Sequence, residues 1–288
     1  MNGADAAMIV HRCPRCHAHL DSPTGADAAC RHCGAVYLVI DGIPSITPHR
    51  SDEAVQAYFH RVAEQSEDSK LGYAPWKEPG LELQLRILSS AVTRALLRWV
   101  PAGSSLLDVG CGHGGLLERA LPNYRMVGID FVLESLQVAR RRGYAVYHGD
   151  ASALPFADGQ FDAVVSTEVL NQYDDATGLL KELARVCRPG GSVIVSTLNR
   201  NSILRRARRF LMSGKTPAVV TVPVISRTAR ELIASAANLD VTLREIAWVI
   251  SPSNMVFFTR GPSDGFDPLA ANFILCMRKK MDSITSRL

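Results

Sequence analysis

Residues Ser105 to Gly115 read SLLDVGCGHGG, and this stretch decides the fold. Ser105–Val109 is a short apolar run interrupted by one acid, the profile of a buried parallel strand. It runs straight into Gly110, Gly112, Gly114 and Gly115. Glycines this dense let the backbone turn sharply and let a ligand come close to it. Leu116, Leu117, Ala120 and Leu121 then recur at helical spacing. Strand, glycine loop and helix in that order aim backbone N–H groups and a helix N-terminus at a ligand.

Two chemistries use that geometry. Gly110-x-Gly112-x-x-Gly115 fits the dinucleotide fingerprint, and Asp130 lies about 20 residues on, where a ribose-binding acid is expected. Three features point away from a nicotinamide enzyme. Asp108 is an acid inside the strand, two residues before the first glycine. Asp150 follows the next apolar run, and Arg188-Pro189-Gly190-Gly191 sits directly before a further strand.

The stretches LLDVGCGHGG, VGID, HGDASALPFADGQFDAVVS and ELARVCRPGGSVIVS come in the order and at the spacing of the class I S-adenosylmethionine (SAM)-dependent methyltransferases. The chain resembles that family from about Leu81 to Arg278. The resemblance implies an α/β fold, a Rossmann-like seven-stranded, mostly parallel sheet with helices on both faces, the last strand antiparallel. It also implies SAM as cofactor. Asp108 with Gly110, Gly112 and Gly114 is expected to face the methionine part, and Asp130 with Phe131 the ribose. Asp150 and Ala151 are expected at the adenine, and Thr167 at the end of the fourth strand. Leu154 and Phe156 are expected beside the adenine, with a core role as the alternative for Phe156.

The first 46 residues read differently. Cys13-Pro14-Arg15-Cys16 and Cys30-Arg31-His32-Cys33 are two CxxC knuckles, and Tyr37-Leu38-Val39-Ile40 then reads as a strand. Four thiolates close a tetrahedral zinc site, and a segment this small folds largely on metal binding. Cys13, Cys16, Cys30 and Cys33 are the expected ligands. His11, His17, His19 and His32 are then surface groups or lie around the metal without touching it. The pattern resembles the zinc-ribbon activator subunits of tRNA and translation-factor methyltransferases, here fused to the enzyme.

Length and composition set the frame. At 288 residues, 47% hydrophobic and 21% charged, the chain has room for one full-sized domain and a small one. We expect a zinc ribbon over 1–46, a linker and helical lead-in or lid over 47–100, and the methyltransferase domain over 101–288. The lead-in holds a helix from Ser51 to about Glu67, a loop with Tyr73 and Trp76, and a helix over Leu81–Val100. The N-terminus lacks a secretory signal's apolar core, and no run has membrane-spanning length. A cytoplasmic enzyme is the expectation. A formal charge of +4 neither demands nor excludes nucleic acid.

Strands are expected at Arg125–Asp130, Ala145–His148, Phe161–Ser166, Ser192–Thr197, Val241–Trp248 and Asn272–Arg278. Phe257 and Phe258 form an apolar segment with no evident place. Methyl transfer needs alignment above all, and a base only where the acceptor must lose a proton. The acceptor is expected just after the fourth strand, where His113, Glu168, Asn171 and Tyr173 are candidates for catalysis. Asp174 and Asp175 read as helix-cap residues.

Arg200 to Met212 carries Arg200, Arg205, Arg206, Arg208 and Arg209 among Ile203, Leu204, Phe210 and Leu211. At helical spacing this composition suits an amphipathic lid, a helix lying on an anionic membrane, or a phosphate-gripping face. The preceding STLNRN resembles the ubiquinone-biosynthesis O-methyltransferases. The reading is SAM-dependent transfer to a small acceptor, lipophilic or a secondary metabolite, with oxygen favoured. An RNA-modifying enzyme using the ribbon, and a non-catalytic SAM-binding scaffold, are the alternatives.

Overall fold

The computed structural model describes residues 9–21, 27–47, 81–115, 122–212, 225–250, 255–262 and 265–281. The helix expected over 51–67 and the loop bearing Tyr73 and Trp76 lie outside the described residues.

Short strands come first: β1 His11–Arg12, β2 His19–Leu20, β3 Ala28–Ala29, β4 Val36–Ile40 and β5 Ile43–Ser45. The alternating part runs α1 Leu81–Trp99, β6 Ser105–Val109, β7 Arg125–Asp130, α2 Leu133–Arg141, β8 Val146–His148, β9 Phe161–Thr167, α3 Ala176–Val186 and β10 Cys187–Leu198. After it come α4 Ile203–Met212, α5 Ala229–Ala236, β11 Val241–Ile250, β12 Met255–Thr259 and β13 Asn272–Lys279.

Among the described residues eleven strands form one sheet in the order β12-β11-β13-β10-β9-β6-β7-β8-β5-β4-β3. Its middle, from β11 to β8, is the expected seven-stranded unit. β6 pairs in parallel with β7 and β9, and β13 runs antiparallel between β10 and β11. The sheet exceeds the expected seven strands at both edges. Phe257 and Phe258 lie on β12, which pairs with β11 through Trp248↔Phe257 and Ala247↔Phe258. At the other edge β5 pairs in parallel with β8 through Ser45↔His148, and brings β4 and β3 with it.

Side-chain alternation splits the core between the two faces. Leu106, Met126, Val165 and Ile194 pack against Ile87, Leu88, Ala91, Val92, Ala95 and Leu96, the helical stripe of α1. Leu107, Val109, Val127, Val164 and Val195 pack against Leu179, Leu180 and Leu183 of α3. Asp175 caps α3 by accepting from the Gly178 amide at 2.8 Å. In β10 the register shifts between Cys187 and Ser192, so the RPGG run is a bulge at the start of a strand. Gly190 sits there at φ +74°.

The ribbon shares the same core. Ile9, Cys13, Leu20 and Tyr37 belong to one buried cluster with Tyr147 and Phe156. Val10 accepts from the Ala157 amide at 3.0 Å, and the Arg12 amide donates to Pro155 at 3.1 Å. His11 is therefore not a surface histidine: it is 2% exposed, with ring centroids 5.2 Å from Tyr147. Burial, reinforced by His19, lowers its pKa to about 4. Phe156 is a core residue, edge-to-face with Tyr147 and Phe161. Among the described residues no helix is long and apolar enough to cross a membrane.

Candidate functional site

A cleft with about 650 Å³ of empty space opens at the carboxyl ends of β6, β7 and β9, where open α/β sheets take ligands. Gly110, Gly112, Asp130, Phe131 and Ala151 line it, together with Gly149, Glu168, Val169, Gln172 and Tyr173. Gly110 takes φ +79°, and a Cβ there would collide with the Val169 side chain. Gly112, at φ +49°, has nothing within 4 Å of where its Cβ would stand. That leaves the space over the loop open to a ligand.

The Gly112 amide donates to Asp130 Oδ2 at 2.9 Å, and the Val132 amide to Oδ1 at 2.9 Å. Each carboxylate oxygen has a second lone-pair direction, so the pair can still accept two vicinal hydroxyls. Burial raises the Asp130 pKa, against the pull of the Val132 and Gly112 amides.

Other expected residues stand behind the cleft wall rather than in it. Asp108 is 5% exposed and accepts from the Tyr144 hydroxyl at 3.4 Å. Burial and the nearby Asp130 push it up to about 7. Gly114 abuts Tyr144 and Ala139. Asp150 accepts on Oδ1 from the Ser152 amide at 2.7 Å, the Ser152 hydroxyl at 2.6 Å and the Tyr173 hydroxyl at 3.0 Å. It fixes the turn that carries Ala151 into the cleft. Thr167 is buried, its hydroxyl unpartnered among the described residues.

The four catalytic candidates separate clearly. His113 is 1% exposed and absent from the cleft lining. Burial, with Arg142 and Arg141, lowers its pKa to about 4. Tyr173 lines the cleft, but its hydroxyl is committed to Asp150, and burial drives its pKa well up. Asn171 is buried and braces its neighbours: Thr197 Oγ1 donates to its Oδ1 at 2.5 Å, as does the Leu198 amide at 3.3 Å.

Glu168 is the carboxylate in the lining with a purpose-built surround. Ser196 Oγ donates to Oε1 at 3.0 Å, Asn272 Nδ2 to Oε1 at 3.1 Å and Asn171 Nδ2 to Oε2 at 2.8 Å. Its backbone sits in the left-handed region at φ +62°, a strained state for a residue with a Cβ that concentrates at functional sites. Burial raises its pKa, opposed by these donors and by Arg205.

Residues beyond sequence reasoning complete the site. Arg227 is 8% exposed. Its guanidinium donates to the carbonyls of Leu170 at 2.5 Å, of Asp174 at 3.0 Å and of Tyr173, clamping the turn after β9. Ser196 and Asn272 come from β10 and β13, and only the sheet order brings them to Glu168. Ser196 ends the ELARVCRPGGSVIVS stretch, which assigns it no role, and Arg227 and Asn272 carry no local motif.

A second centre lies in the ribbon. The sulfurs of Cys13, Cys16, Cys30 and Cys33 all lie within 4.8 Å of one another. Cys13–Cys33 and Cys16–Cys30 are each 3.6 Å apart, close to the edge of about 3.8 Å of a tetrahedron with zinc–sulfur bonds near 2.3 Å. The two knuckles repeat one geometry. The His17 amide donates to Cys13 at 2.7 Å and the Gly34 amide to Cys30 at 2.9 Å. Both residues are left-handed, at φ 60° and 73°. The Tyr37 hydroxyl lies 3.0 Å from Cys13 Sγ, and the Cys33 amide, helped by that of His32 and opposed by burial, pulls the Cys30 thiol down to about 6. The donor set fits zinc.

Comparison with known proteins agrees with this geometry. Residues 107–195 match the model of the methyltransferase domain family. The malonyl-[acyl-carrier protein] O-methyltransferase of Erwinia pyrifoliae is 32% identical over 156 residues, 51% of this chain and 60% of that protein. The ubiquinone biosynthesis O-methyltransferase of Thiobacillus denitrificans is 39% identical over 120 residues, 37% of this chain and 51% of that protein. The chain thus spans about half to three-fifths of the length of these relatives. Among solved structures, a SAM-dependent methyltransferase of Thermotoga maritima, described as a possible histamine N-methyltransferase, superposes with a TM-score of 0.59 at 20% identity. That match covers 78% of this chain and 99% of the other. Residues 107–195 thus match a methyltransferase domain, and the sheet around them has the fold of a SAM-dependent methyltransferase of known structure.

Proposed function

We propose that the chain is an enzyme that moves the methyl group of SAM to an oxygen of a small-molecule acceptor, and that Glu168 receives the acceptor's proton. The observation that carries this reading is the placement of Glu168, in the cleft lining at the end of β9 and held by donors from three elements. The matched relatives named as O-methyltransferases support oxygen as the acceptor atom.

SAM supplies a methyl carbon already activated by its sulfonium. The chain's residues align the partners. Asp130 accepts the ribose hydroxyls, the Gly110–Gly112 backbone, whose amides already donate to the Ile129 carbonyl and Asp130, and Gly149–Ala151 flank the nucleoside and methionine ends, and Asp108 backs the loop from behind. Among the described residues Glu168 Oε2 accepts from one donor, which leaves a lone pair for an acceptor hydroxyl. Raised by burial, it is a stronger base than a solvated carboxylate. Arg227 holds the turn that closes this side of the cleft.

Cys13, Cys16, Cys30 and Cys33 would hold one structural zinc. In this reading residues 1–46 are a ribbon joined to the methyltransferase sheet through β5, 47–100 a lead-in, and 101–288 the catalytic domain. A ribbon paired into the sheet edge beside β8 serves the nucleoside wall of the cleft, which favours a structural role over RNA recognition.

The test is the split between binding and turnover. Asp130→Ala is expected to weaken SAM binding by roughly tenfold or more, the loss of charge-assisted hydrogen bonds. Glu168→Gln is expected to leave SAM affinity intact and to lower methyl transfer by about 10²–10⁴, the usual contribution of a general base. Full turnover in Glu168→Gln removes the base and with it the preference for a hydroxyl acceptor.

A further inference from the structure

The arginine-rich stretch after β10 encloses a recess separate from the cleft. Asn199, Arg200, Asn201, Arg205, Arg206 and Ser226 line about 740 Å³ of empty space. No carboxylate is among the described lining residues. Glu231 pairs with Arg200 from outside the lining and Asp267 accepts from Asn201 Nδ2 at 2.6 Å, so two described carboxylates border a lining that carries three guanidinium groups.

Its floor is built and held. Asn199 is 1% exposed and donates to the carbonyls of Asp267 at 2.5 Å and Ala270 at 3.0 Å. Its Oδ1 accepts from the Asn201 amide at 3.0 Å. The Arg200 amide donates to the Arg227 carbonyl at 3.0 Å, and Ser202 Oγ accepts from the Arg205 amide at 3.4 Å as α4 begins. A backbone fixed in this way carries its side chains to the recess without a further loop-ordering cost.

The recess also adjoins the catalytic centre. It opens at the carboxyl end of β10, the end of the sheet at which β6, β7 and β9 open the cleft. The Leu198 amide, one residue before the recess, donates to Asn171, and Asn171 donates to Glu168. The Arg205 charge reaches Glu168 and favours its ionised form. Guanidinium forks match carboxylate and phosphate oxygens in shape as well as charge. On the same helix Ile203 and Leu204 are 56% and 47% exposed, which gives an apolar chain a surface beside the charged site. Arg205 and Arg206 line one open recess together with Arg200, rather than spreading along the helix.

We propose that this recess binds an anionic group of the methyl acceptor, a carboxylate or a phosphate, while the acceptor's nucleophilic atom lies in the cleft at Glu168. The proposal rests on the methyltransferase reading and specifies its substrate class as anionic and amphiphilic.

The test is calorimetry on the full chain at fixed ionic strength, with and without S-adenosylhomocysteine. The probes are octyl phosphate, octanoate and, as a control of equal length and opposite charge, octyltrimethylammonium. At least one anion is expected to bind and the cation not to. Arg206→Glu, and the pair Arg205→Gln with Arg206→Gln, are expected to weaken the anion by roughly tenfold or more with S-adenosylhomocysteine affinity unchanged, which also reports that the fold is intact. Three results would overturn the assignment: no binding of either anion, equal binding of the cation, or anion affinity unmoved by the substitutions. A single-stranded RNA 12-mer, or phosphatidylglycerol vesicles, binding more tightly than octyl phosphate and lost in the same variants would overturn it in favour of a macromolecular phosphate surface. Failure of S-adenosylhomocysteine to bind the unmodified chain would instead sink the methyltransferase reading, and the anion titration without it would still report on the recess.

Discussion

The Ser45 hydroxyl lies 2.8 Å from His148 Nδ1, and His148 Nε2 lies 3.1 Å from the Phe131 carbonyl. A carbonyl only accepts, so Nε2 carries the proton toward Phe131 and Nδ1 accepts from Ser45. Through one imidazole the last strand of the ribbon is tied to a residue of the cleft lining. The Ile46 amide donates to the His148 carbonyl at 2.8 Å, beside Gly149. The ribbon therefore braces the wall against which a nucleoside would rest.

Ser45→Ala leaves Nδ1 without its donor. We expect a loss of about 1 kcal/mol in stability, and SAM binding weaker by roughly fivefold. Thermal unfolding and calorimetry on the same samples read both. Unchanged SAM affinity with lowered stability would mean that the tie is structural and does not reach the cleft.

The four-sulfur centre predicts one zinc per chain. Removing it with a strong chelator, or by Cys33→Ser, is expected to unfold the ribbon, because so small a segment has little core of its own. Hydrogen exchange should then lose protection at Ile46 and in β4, and SAM affinity should fall in step. A chelated chain that keeps this protection would show that the core shared with Phe156 and Tyr147 holds the ribbon without metal.

Asp108 gives a pH signature. Burial, then Asp130, lifts it from its ordinary 3.8 to about 7 in the folded chain. A carboxyl whose folded pKa lies above its unfolded value favours folding while protonated. That contribution is full below about pH 4 and is lost as pH rises through 7. Asp108→Asn keeps the shape and removes the titration. The variant should gain stability relative to the unmodified chain between pH 4 and 8, by up to on the order of 4 kcal/mol. Urea unfolding at the two pH values measures it, and a pH-independent difference would refute it.

The sequence was most legible where structure is local. Ser105–Val109, the glycine loop and Arg125–Asp130 announce themselves within a few residues, and both strands have the expected bounds. The two CxxC knuckles are equally local. What escaped depends on pairing between distant segments. Phe257 and Phe258 make a strand only because β11 offers them an edge. The ribbon looked like a separate unit because nothing near Ser45 signals that it pairs with His148, 103 residues away. In the sequence Glu168 is one candidate among four, and nothing local shows that β10 and β13 bring Ser196 and Asn272 to it. His113, beside the glycines in sequence, is buried outside the cleft lining.

The most direct measurement is transfer of labelled methyl from SAM, by the full chain, into extract of the source cells, with the products separated into organic-extractable molecules, RNA and protein. The account predicts label in the organic fraction, on an anionic compound, and its loss in Glu168→Gln. Label in RNA or protein would contradict it, as would the absence of any label from a chain that binds SAM.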